Sequence, residues 1–472
     1  MSQLVDLAIV GGGAAALTAA DFALQLGARV ALLERDRIGG DCTWTGCIPS
    51  KSLIRVASAA ASVRQAGRFG IRSGEPEVDF AQVREYLRSC IEHIYTPTSP
   101  DALRAKGVLV KIGPTRFLDP HTLEVAGETL RARRILICTG AIPARPTFTG
   151  ADEISYLTYR EIFEIDHLPG SLLVVGGGPL GCEIAQAFQR LGAQVTLIAP
   201  RLLPRADAKA SALLSQVFAQ DGVRYLPARA QAVRSDNGAI TVCTERGEVT
   251  GESLLVAVGR VPDVSGLELE RAGVRSDSRG IQVDSTLRTT VSHIYAAGDV
   301  LGGPQFAYLA AWQAFQAVRN ALLPGSARGT PTVLPEVTFT VPEVAQVGLT
   351  EAQARERFGE DVRAASTDLQ RVDRAVTEGD RIGFIKLVAH RDGRFLGASI
   401  MAERGGEMIA EVTLAMATQL KIGDLAAAIH PYPTYNSAVE LLAAGLATQM
   451  NLTGVRGRLV RLLSRWSLGA AT

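Results

Sequence analysis

The sequence predicts an α/β protein, because two stretches share one pattern of strand, glycine-rich turn, helix and strand. The stretches are residues 7–35 and 172–200, and they align without gaps at an offset of 165 residues. An internal repeat of this length is more specific than either motif alone. From about residue 334 the pattern changes to antiparallel strands with helices, which indicates a C-terminal α+β domain.

The first stretch has the features of a dinucleotide-binding turn. An apolar strand at 7–10 is followed by Gly11, Gly13 and Ala16 at the positions of a G-x-G-x-x-G/A motif. The first glycine permits the turn, the second lets a pyrophosphate approach, and the small third residue lets the helix pack on the strand. Glu34, 23 residues after Gly11, ends the next strand, where a carboxylate binds a ribose hydroxyl. A Rossmann-like domain is therefore expected here.

A pair of cysteines follows in the segment GGDCTWTGCIPSK at 39–51. Cys42 and Cys47 precede a predicted helix at 50–65, and Pro49 suits its first turn. A thiol at a helix N-terminus ionises more readily, which suits the pair to forming and opening a disulfide. The spacing alone leaves open half of a zinc site, a structural disulfide or inert core thiols. Our hypothesis is that the pair is redox-active and exchanges electrons with a flavin held by the first unit.

Between the two repeats, residues 66–110 are predicted to be largely helical. Short strands are predicted at 115–118, 123–125 and 134–138. Thr139 and Gly140 follow as a turn. Later in the chain, a strand at 293–297 delivers Asp299 to a loop, where a carboxylate can bind a ribityl chain or serve as a turn or cap residue.

The second stretch carries Gly176, Gly178 and Gly181 at the glycine positions, so the chain is expected to bind two dinucleotides. Its acid position differs, because Ala199 aligns with Glu34 of the first copy, and Arg201 follows with Arg205 close by. Loss of the acid removes repulsion against a 2′-phosphate, and an arginine binds one. This pattern favours NADPH over NADH, with solvated loop arginines as the alternative.

Composition and charge argue against several classes of protein. The net charge of +1 gives no reason to expect nucleic-acid binding. The N-terminus lacks the pattern of a signal peptide, and no run approaches the ~18 apolar residues of a transmembrane helix. Six cysteines in 472 residues do not make a disulfide scaffold. We therefore expect a cytoplasmic α/β enzyme.

Together these motifs resemble those of the flavin-dependent pyridine nucleotide–disulfide oxidoreductases, which include glutathione reductase, dihydrolipoamide dehydrogenase and mercuric reductase. The resemblance extends to about residue 450. It implies two Rossmann-like dinucleotide-binding domains and a C-terminal α+β interface domain that forms a homodimer. The implied domains are 1–148 for FAD, 149–265 for NAD(P)H, 266–333 as the return to the FAD domain, and 334–472 as the interface domain.

The resemblance also implies roles for the site residues. Cys42 would meet the substrate and Cys47 would lie against the flavin, with Lys51 near the flavin ring and paired with Glu183. The stretch HIYAAGDV would place Asp299 on the flavin. Electrons would pass from NAD(P)H through FAD and the Cys42–Cys47 disulfide to a small-molecule acceptor.

The C-terminal region departs from the dithiol members of this family. Tyr432 stands where their acid–base histidine falls, and Ser437 stands where the partner glutamate falls. A tyrosine here resembles the mercuric-reductase-like branch, although the C-terminal cysteine pair of mercuric reductase has no counterpart after Cys243. His430 and Glu440 are candidate substitutes for the dyad, with a surface or capping role for His430 as the alternative.

Three functions remain open from the sequence. The leading one is an NADPH-preferring reductase of a small disulfide, quinone or metal ion. The alternatives are a dihydrolipoamide dehydrogenase with a rearranged acid–base group, and a flavin-bound redox sensor with slow turnover.

The tail at 454–468 allows two interpretations. Its arginines lie among leucine, valine and tryptophan residues, as in a basic amphipathic helix that makes weak contact with an anionic membrane surface. Packing against the interface domain is the other interpretation. The arginines concerned are Arg456, Arg458, Arg461 and Arg465.

Overall fold

The computed structural model describes residues 3–452, 457, 459, 460, 462–464 and 466. The four tail arginines of the membrane hypothesis lie outside the described residues. The chain divides into two compact units. The first contains the described residues of Met1–Gly176, Ala187–Ile198 and Ala228–Pro331, and the second contains those of Gly177–Gln186, Ala199–Pro227 and Thr332–Thr472.

The N-terminal part of the first unit alternates strands and helices before it becomes β-rich. Its elements are β1 (Gln3–Val10), α1 (Ala14–Gln25), β2 (Val30–Glu34), α2 (Gly40–Trp44), α3 (Cys47–Gln65), α4 (Phe80–Tyr95), α5 (Pro100–Ala105), β3 (Leu109–Ile112), β4 (Thr115–Asp119), β5 (Thr122–Val125), β6 (Glu128–Ile137) and β7 (Ala141–Pro143). The sheet has the order β3-β2-β1-β6-β5-β4. Strands β3, β2, β1 and β6 run parallel, whereas β5 and β4 continue the sheet antiparallel.

The parallel centre of this sheet follows from its sequence. Leu7, Ala8 and Ile9 of β1 are fully buried, as are the central residues of β2. Strands that are covered on both faces have continuous apolar runs of this kind. The glycine turn between β1 and α1 therefore lies at the carboxyl end of a central strand, where open α/β sheets bind their ligands.

Two predicted boundaries in this part were wrong. Helix α3 begins at Cys47 rather than at residue 50, because Gly46 serves as its N-cap without a side chain and Pro49 fits within its first turn. Strand β6 begins at Glu128 rather than at residue 134, because its first residues pair with β5 in a hairpin.

The second repeat has the same order of elements. Its strands β8 (Ser171–Val175) and β9 (Gln194–Ile198) flank helix α6 (Pro179–Leu191). The elements that follow are α7 (Ala208–Asp221), β10 (Arg224–Leu226), β11 (Ala230–Asp236), β12 (Ala239–Thr244), β13 (Gly247–Gly251), β14 (Ser253–Val256), β15 (Arg260–Pro262), α8 (Leu269–Ala272), β16 (Ser276–Asp277), β17 (Gly280–Ile281), β18 (Ile294–Ala296) and α9 (Ala307–Leu322). Strand β8 pairs in parallel with both β9 and β14.

Strand β18 returns the chain to the first sheet. It pairs in parallel with β6, with Ile294 opposite Ile135. Helix α9 packs against α1 through small residues that are fully buried, such as Ala16 and Ala314. Asp299 is thereby brought to the same end of the sheet as the first glycine turn.

The C-terminal region forms an antiparallel sheet with helices, as the sequence predicts. Its elements are β19 (Pro335–Thr338), β20 (Glu343–Gly348), α10 (Glu351–Phe358), β21 (Val362–Asp368), α11 (Asp373–Glu378), β22 (Phe384–His390), β23 (Phe395–Ala402), α12 (Gly405–Ala417), α13 (Ile422–Ala426) and α14 (Tyr435–Leu452). The strand order is β19-β20-β23-β22-β21, and apolar residues of α12 and α14 complete the core. Across the described part of the chain, every helix is too short or too polar to cross a membrane.

Candidate active site

The first glycine turn has no room for a side chain at two of its three glycines. Gly11 has a φ of +113°, and a Cβ there would lie 2.3 Å from the carbonyl oxygen of Cys138. A Cβ on Gly12 would lie 2.8 Å from Oε2 of Glu34. Gly13 has no side chain with which to cap α1, so the first N–H groups of that helix face the turn. These residues fit the pyrophosphate of FAD.

Glu34 and Ala16 occupy the places that the motif predicts for them. Burial raises the pKa of the Glu34 carboxyl group, and the N–H of Asp36, which donates to Oε1 at 2.8 Å, opposes that rise. Ala16 is fully buried, which lets α1 approach the sheet closely. Glu34 therefore stands beside the turn with an oxygen directed at the Gly12 backbone.

The cysteine segment packs directly on this turn. The N–H of Gly39 donates to the carbonyl oxygen of Gly12 at 2.8 Å. Gly40 has a φ of +59°, and a Cβ on it would lie 2.7 Å from Cα of Gly13. The backbone that leads to the first cysteine therefore lies against the predicted FAD turn, and only glycine permits that approach.

The two cysteines lie together, and the structure holds them as free thiols that are partly buried. Cys42 lies in α2 and Cys47 is the first residue of α3. Their side chains share a hydrogen bond, which with burial raises the pKa of Cys42. The same hydrogen bond lowers the pKa of Cys47 to about 7 against the effect of burial, with help from the charges of Lys51 and Arg260. Of the two thiols, Cys47 is therefore the one that ionises more readily.

Lys51 and Glu183 both lie within helices, in α3 and α6 respectively. Lys51 lies one turn after Cys47 in α3, which places its charge where it favours the thiolate. Glu183 is buried in α6, and its Oε1 accepts a hydrogen bond from the N–H of Phe339 at 2.9 Å. The pairing of Lys51 with Glu183 stays a prediction.

Thr139 and Gly140 form the predicted turn after β6. The Thr139 hydroxyl donates to the carbonyl oxygen of Asp263 at 2.6 Å, and the N–H of Asp263 donates to the carbonyl oxygen of Gly140 at 3.0 Å. Strands β7 and β15 pair directly beyond this point. The turn therefore ties together the segments that leave and re-enter the first sheet.

Asp299 carries a partner that sequence reasoning missed. Its Oδ2 lies 2.8 Å from Nη2 of Arg260, in a partly buried ion pair. Burial raises the pKa of Asp299, and Arg260 opposes that effect. Asp41, which precedes Cys42, lies 3.7 Å from Nη1 of the same guanidinium and accepts a hydrogen bond from the Tyr159 hydroxyl at 2.7 Å. The Val258–Gly259–Arg260 stretch after β14 was the available signal in the sequence.

The second glycine turn repeats the geometry of the first. Gly176 has a φ of +128°, and a Cβ there would lie 2.2 Å from the carbonyl oxygen of Ala257. A Cβ on Gly178 would lie in open space, and Gly181 is buried in α6. Arg201 is exposed, which leaves its guanidinium accessible to a ligand phosphate.

Tyr432 and Ser437, which stand at the positions expected for an acid–base dyad, each bind a different partner. The Tyr432 side chain is 74% exposed, and its hydroxyl donates to Oδ2 of Asp373 at 2.8 Å, which raises the pKa of Tyr432. The Ser437 hydroxyl donates to the carbonyl oxygen of Thr434 at 2.6 Å and helps to begin α14. These contacts give Tyr432 a neutral, exposed side chain.

His430 belongs to a partly buried ion-pair cluster. Its side chain is 9% exposed, with Nε2 at 2.5 Å from Oε1 of Glu411 and Nδ1 at 2.9 Å from the carbonyl oxygen of Ala428. Glu440 lies 3.4 Å from Nδ1. Burial opposes the charge of the imidazole, but these acceptors outweigh it and raise the pKa of His430. His430 and Glu440 therefore lie close together, and the contact of Nδ1 with the Ala428 carbonyl oxygen is compatible with the capping role that was the alternative.

A comparison with protein families identifies the chain. Residues 5–314 match the family described as pyridine nucleotide-disulphide oxidoreductase, and residues 334–443 match the dimerisation domain of the same family. The chain belongs to this family. As a member of the pyridine nucleotide-disulphide oxidoreductases, it is an NAD(P)H-dependent oxidoreductase that uses FAD, which confirms the two cofactors expected from the two turns. The dimerisation domain supports the expected homodimer.

Curated relatives support the mercuric-reductase-like branch. The chain is 38% identical over 452 residues to a mercuric reductase of Streptomyces lividans, covering 93% of this chain and 95% of that protein. It is 36% identical over 445 residues to a mercuric reductase of Bacillus cereus, covering 92% of this chain and 70% of that protein. The resemblance to the mercuric-reductase-like branch, drawn from the cysteine segment and the region of Tyr432, is thereby confirmed.

Solved structures confirm the fold class. The HOCl-induced flavoprotein disulfide reductase RclA of Escherichia coli is 27% identical with a TM-score of 0.83, covering 93% of this chain and 99% of that one. A second RclA structure is its Cu(II) complex. LpdA of Mycobacterium tuberculosis is 29% identical with a TM-score of 0.85, covering 94% of this chain and 100% of that one.

Proposed function

We propose that this oxidoreductase passes electrons from NAD(P)H through FAD and a Cys42–Cys47 redox disulfide to a small acceptor, with a soft metal ion as the favoured acceptor class. The observation that carries the proposal is the lowered pKa of Cys47, at the start of a helix whose preceding segment packs on the FAD turn. Small disulfides and quinones are the other acceptors to be tested.

Each residue of the site has a proposed role. FAD, when bound, supplies the two-electron chemistry that links NAD(P)H to the cysteine pair. Gly11 and Gly13 make room for the pyrophosphate, and Glu34 binds the ribose. Cys47 holds the thiolate, and Lys51 stabilises its charge.

The protonation state of the pair favours a metal ion. Cys42, the outer thiol, holds its proton more tightly than Cys47 does. A disulfide acceptor needs Cys42 deprotonated by a base, and the usual histidine is replaced by Tyr432. A soft metal ion displaces the thiol proton as it binds, so it needs no such base. The mercuric reductase relatives and the Cu(II) complex of RclA agree with this acceptor class.

Residues of the C-terminal domain have supporting roles in the proposal. Tyr432 is exposed, and in the homodimer it would stand beside the acceptor at the cysteine pair of the second copy, as the family resemblance implies. His430 is bound through both ring nitrogens, which favours positioning of the Tyr432 loop over proton transfer. The same feature weighs against dihydrolipoamide dehydrogenase activity.

An anaerobic titration of the purified holoenzyme with NADPH tests the cysteine pair. We expect a long-wavelength thiolate-to-flavin absorbance band after two electrons, because Cys47 is the favoured thiolate. Cys47→Ser should abolish this band. Cys243→Ser is the matched control, since Cys243 lies on β12 beside Arg234 and Glu248, and the band should persist. Direct bleaching of the wild-type flavin without the band would contradict the proposal.

An acceptor assay tests the substrate class. NADPH oxidation is measured with Hg(II), Cu(II), a quinone and oxidised lipoamide. We expect the metal ions to be turned over faster than oxygen, with the activity lost in both Cys42→Ser and Cys47→Ser. Turnover of the quinone alone, unchanged in both variants, would show that acceptors take electrons from the flavin without the cysteines.

A further inference from the structure

The loop that carries Arg201 is held at two points. It spans residues 199–207, between β9 and α7, and belongs to the second compact unit. At the first point, the N–H of Leu203 donates to the carbonyl oxygen of Gly177 at 2.7 Å. A Cβ on Gly177 would lie 2.3 Å from the carbonyl oxygen of Arg201, so the two backbones are in close contact. The loop therefore rests on the second glycine turn.

Leu203 is a strained point of this loop. Its φ is +42°, in the left-handed region that a leucine rarely adopts. Its side chain is buried, and its carbonyl oxygen accepts hydrogen bonds from the N–H of Ala206 at 2.9 Å and from the hydroxyl of Ser211 at 3.4 Å. Backbone strain of this kind persists only where the surrounding structure holds it. The conformation of the loop therefore depends on the contacts that hold it.

The second point of attachment is Asp207, the N-cap of α7. Its Oδ1 accepts the N–H of Lys209 at 2.9 Å, and its Oδ2 accepts a hydrogen bond from Nζ of Lys386 at 2.9 Å. The N–H of Asp207 donates to Oε1 of Gln346 at 3.2 Å. Lys386 lies on β22 and Gln346 lies on β20, both in the C-terminal sheet. The end of the loop is therefore anchored on that sheet.

The ion pair between Asp207 and Lys386 is largely buried. The two side chains are 7% and 12% exposed, so water screens their attraction little. Burial opposes the charge of Lys386, but its hydrogen bonds to Asp207 and Glu351 outweigh that effect and raise its pKa. Without Lys386, Asp207 would be a buried carboxylate that has lost its cation, which is much costlier than the pair. The carboxylate would then turn toward water and displace the loop.

We propose that the Asp207–Lys386 pair is a positioning element for Arg201, and that the C-terminal sheet thereby contributes to the choice of NADPH over NADH. Arg201 is exposed, so binding of a 2′-phosphate must order its side chain. A fixed loop lowers that cost, because the backbone is already in place. The inference rests on the proposed function, in which NAD(P)H is the electron donor, and on Arg201 as the residue that binds the 2′-phosphate.

Loss of the anchor should affect the two nucleotides differently. NADH lacks the 2′-phosphate, so displacement of Arg201 removes no contact from it. A purely structural role of the ion pair would instead weaken both nucleotides, since a disturbed glycine turn binds the pyrophosphate that they share. The effect must also pass through Arg201. Once Arg201 has been replaced, loss of the anchor should change nothing further, because the two changes remove the same contact.

The test measures anaerobic reduction of the holoenzyme flavin by NADPH and by NADH, and the dependence of the rate on nucleotide concentration gives a dissociation constant for each. We expect Lys386→Met to weaken NADPH binding by roughly three- to tenfold and to leave NADH binding unchanged, because one charge-assisted contact is weakened or lost. In an Arg201→Ala background, Lys386→Met should have no further effect. Lys209→Met is the matched control, because it removes the same charge from an exposed ion pair with Asp368 at 2.6 Å and should preserve both constants.

The outcomes separate this inference from the proposed function. If neither nucleotide reduces the wild-type flavin, the proposed function fails. The positioning role alone is overturned if Lys386→Met leaves both constants unchanged, weakens both nucleotides equally, or adds to the effect of Arg201→Ala. A ratio of the two constants that Arg201→Ala does not move would overturn it as well.

A second variant keeps the inference testable if Lys386→Met does not retain FAD. Asp207→Asn keeps a side-chain oxygen to cap α7, and Lys386 keeps its contact with Glu351 at 3.3 Å. The inference then requires weaker binding of NADPH, by less than in Lys386→Met, with unchanged binding of NADH. Unchanged binding of both nucleotides in Asp207→Asn would overturn it.

Discussion

The two glycine turns of this oxidoreductase share a backbone and differ in the residues that face it. Gly11 and Gly176 both have a positive φ, and a side chain on either would collide with the carbonyl oxygen of a neighbouring strand end. At the next position, a Cβ on Gly12 would meet the Glu34 carboxylate, whereas a Cβ on Gly177 would meet the carbonyl oxygen of Arg201 at 2.3 Å.

This difference separates binding of the pyrophosphate, which the two turns share, from the choice of ribose, which they do not. The shared backbone admits any dinucleotide, because it contacts only the pyrophosphate. We expect the residues at the end of the second strand of each repeat to decide which ribose is accepted. The carboxylate of Glu34 suits a free hydroxyl, whereas Ala199 and Arg201 would suit a 2′-phosphate. Substitutions at the pyrophosphate, at the ribose and outside both turns test this separation.

The largest expected effect comes from a methyl group placed at the middle of each turn. A Cβ on Gly13 would lie 3.8 Å from Cα of Gly40, and one on Gly178 would lie in open space, so the protein itself tolerates both alanines. Each methyl group would instead press on its dinucleotide, at a cost of about 1–3 kcal/mol, or roughly 5- to 150-fold in affinity. Gly13→Ala should lose FAD and Gly178→Ala should lose NADPH affinity.

Bound FAD is measured by absorbance after gel filtration, and NADPH affinity by quenching of flavin fluorescence. Gly178→Ala must keep its full FAD content, which also serves as the control for folding. Loss of FAD from both variants would contradict this prediction, because it would mean that the two turns do not bind their dinucleotides independently.

An intermediate effect is expected at the ribose. Arg201→Ala should lower the ratio of kcat/KM for NADPH to that for NADH by about tenfold, because one charge-assisted contact is removed. Arg205→Ala is the matched control, since the Arg205 guanidinium lies 3.4 Å from Glu336. Steady-state kinetics with both nucleotides give the ratio, and a ratio unchanged in Arg201→Ala would remove the basis for NADPH preference.

The smallest effect concerns pH. Neither repeat contains a histidine, whereas the C-terminal region contains the His430 cluster. The pKa of His430 is raised above its usual 6.5, so its stabilising contribution is complete below pH 6.5 and is lost as pH rises through the folded-state pKa.

Thermal unfolding followed by circular dichroism measures the contribution of His430. As the pH rises from below 6.5 through the folded-state pKa of His430, we expect the Tm of the wild type to fall by about 1–2 °C. The Tm of His430→Gln should fall by less. His167→Gln is the matched control, because it removes an exposed histidine that contacts Glu252. A fall in Tm that is equal in His430→Gln and the wild type would assign the titration elsewhere.

The fold was predictable where the backbone itself demands particular residues. Tight turns at positive φ require glycine, and apolar runs mark buried strands, so both repeats and the fold class were predicted correctly. The start of α3 was missed because Gly46 caps it with no side chain, and proline rules alone placed the start too late. Gly39 and Gly40 were noted only as part of the cysteine motif, although they let it pack on the first turn.

The parts of the site that were missed depend on contacts between distant segments. Arg260 meets Asp41 across more than 200 residues of sequence, and a single sequence carries no record of such a pair. His430 meets Glu411 on α12, which the spacing of residues around His430 does not reveal. Local chemistry identified the cysteines, whereas their electrostatic partners required the folded chain.

The return strand β18 has a consequence for synthesis of the protein. Ile135 pairs with Ile294, so the ribosome must translate a further 159 residues before this edge of the first sheet is complete. At about 5–20 residues per second that interval is roughly 10–30 s. The nascent chain must therefore carry an incomplete sheet while the second repeat emerges, and this stage is where chaperones have most reason to bind.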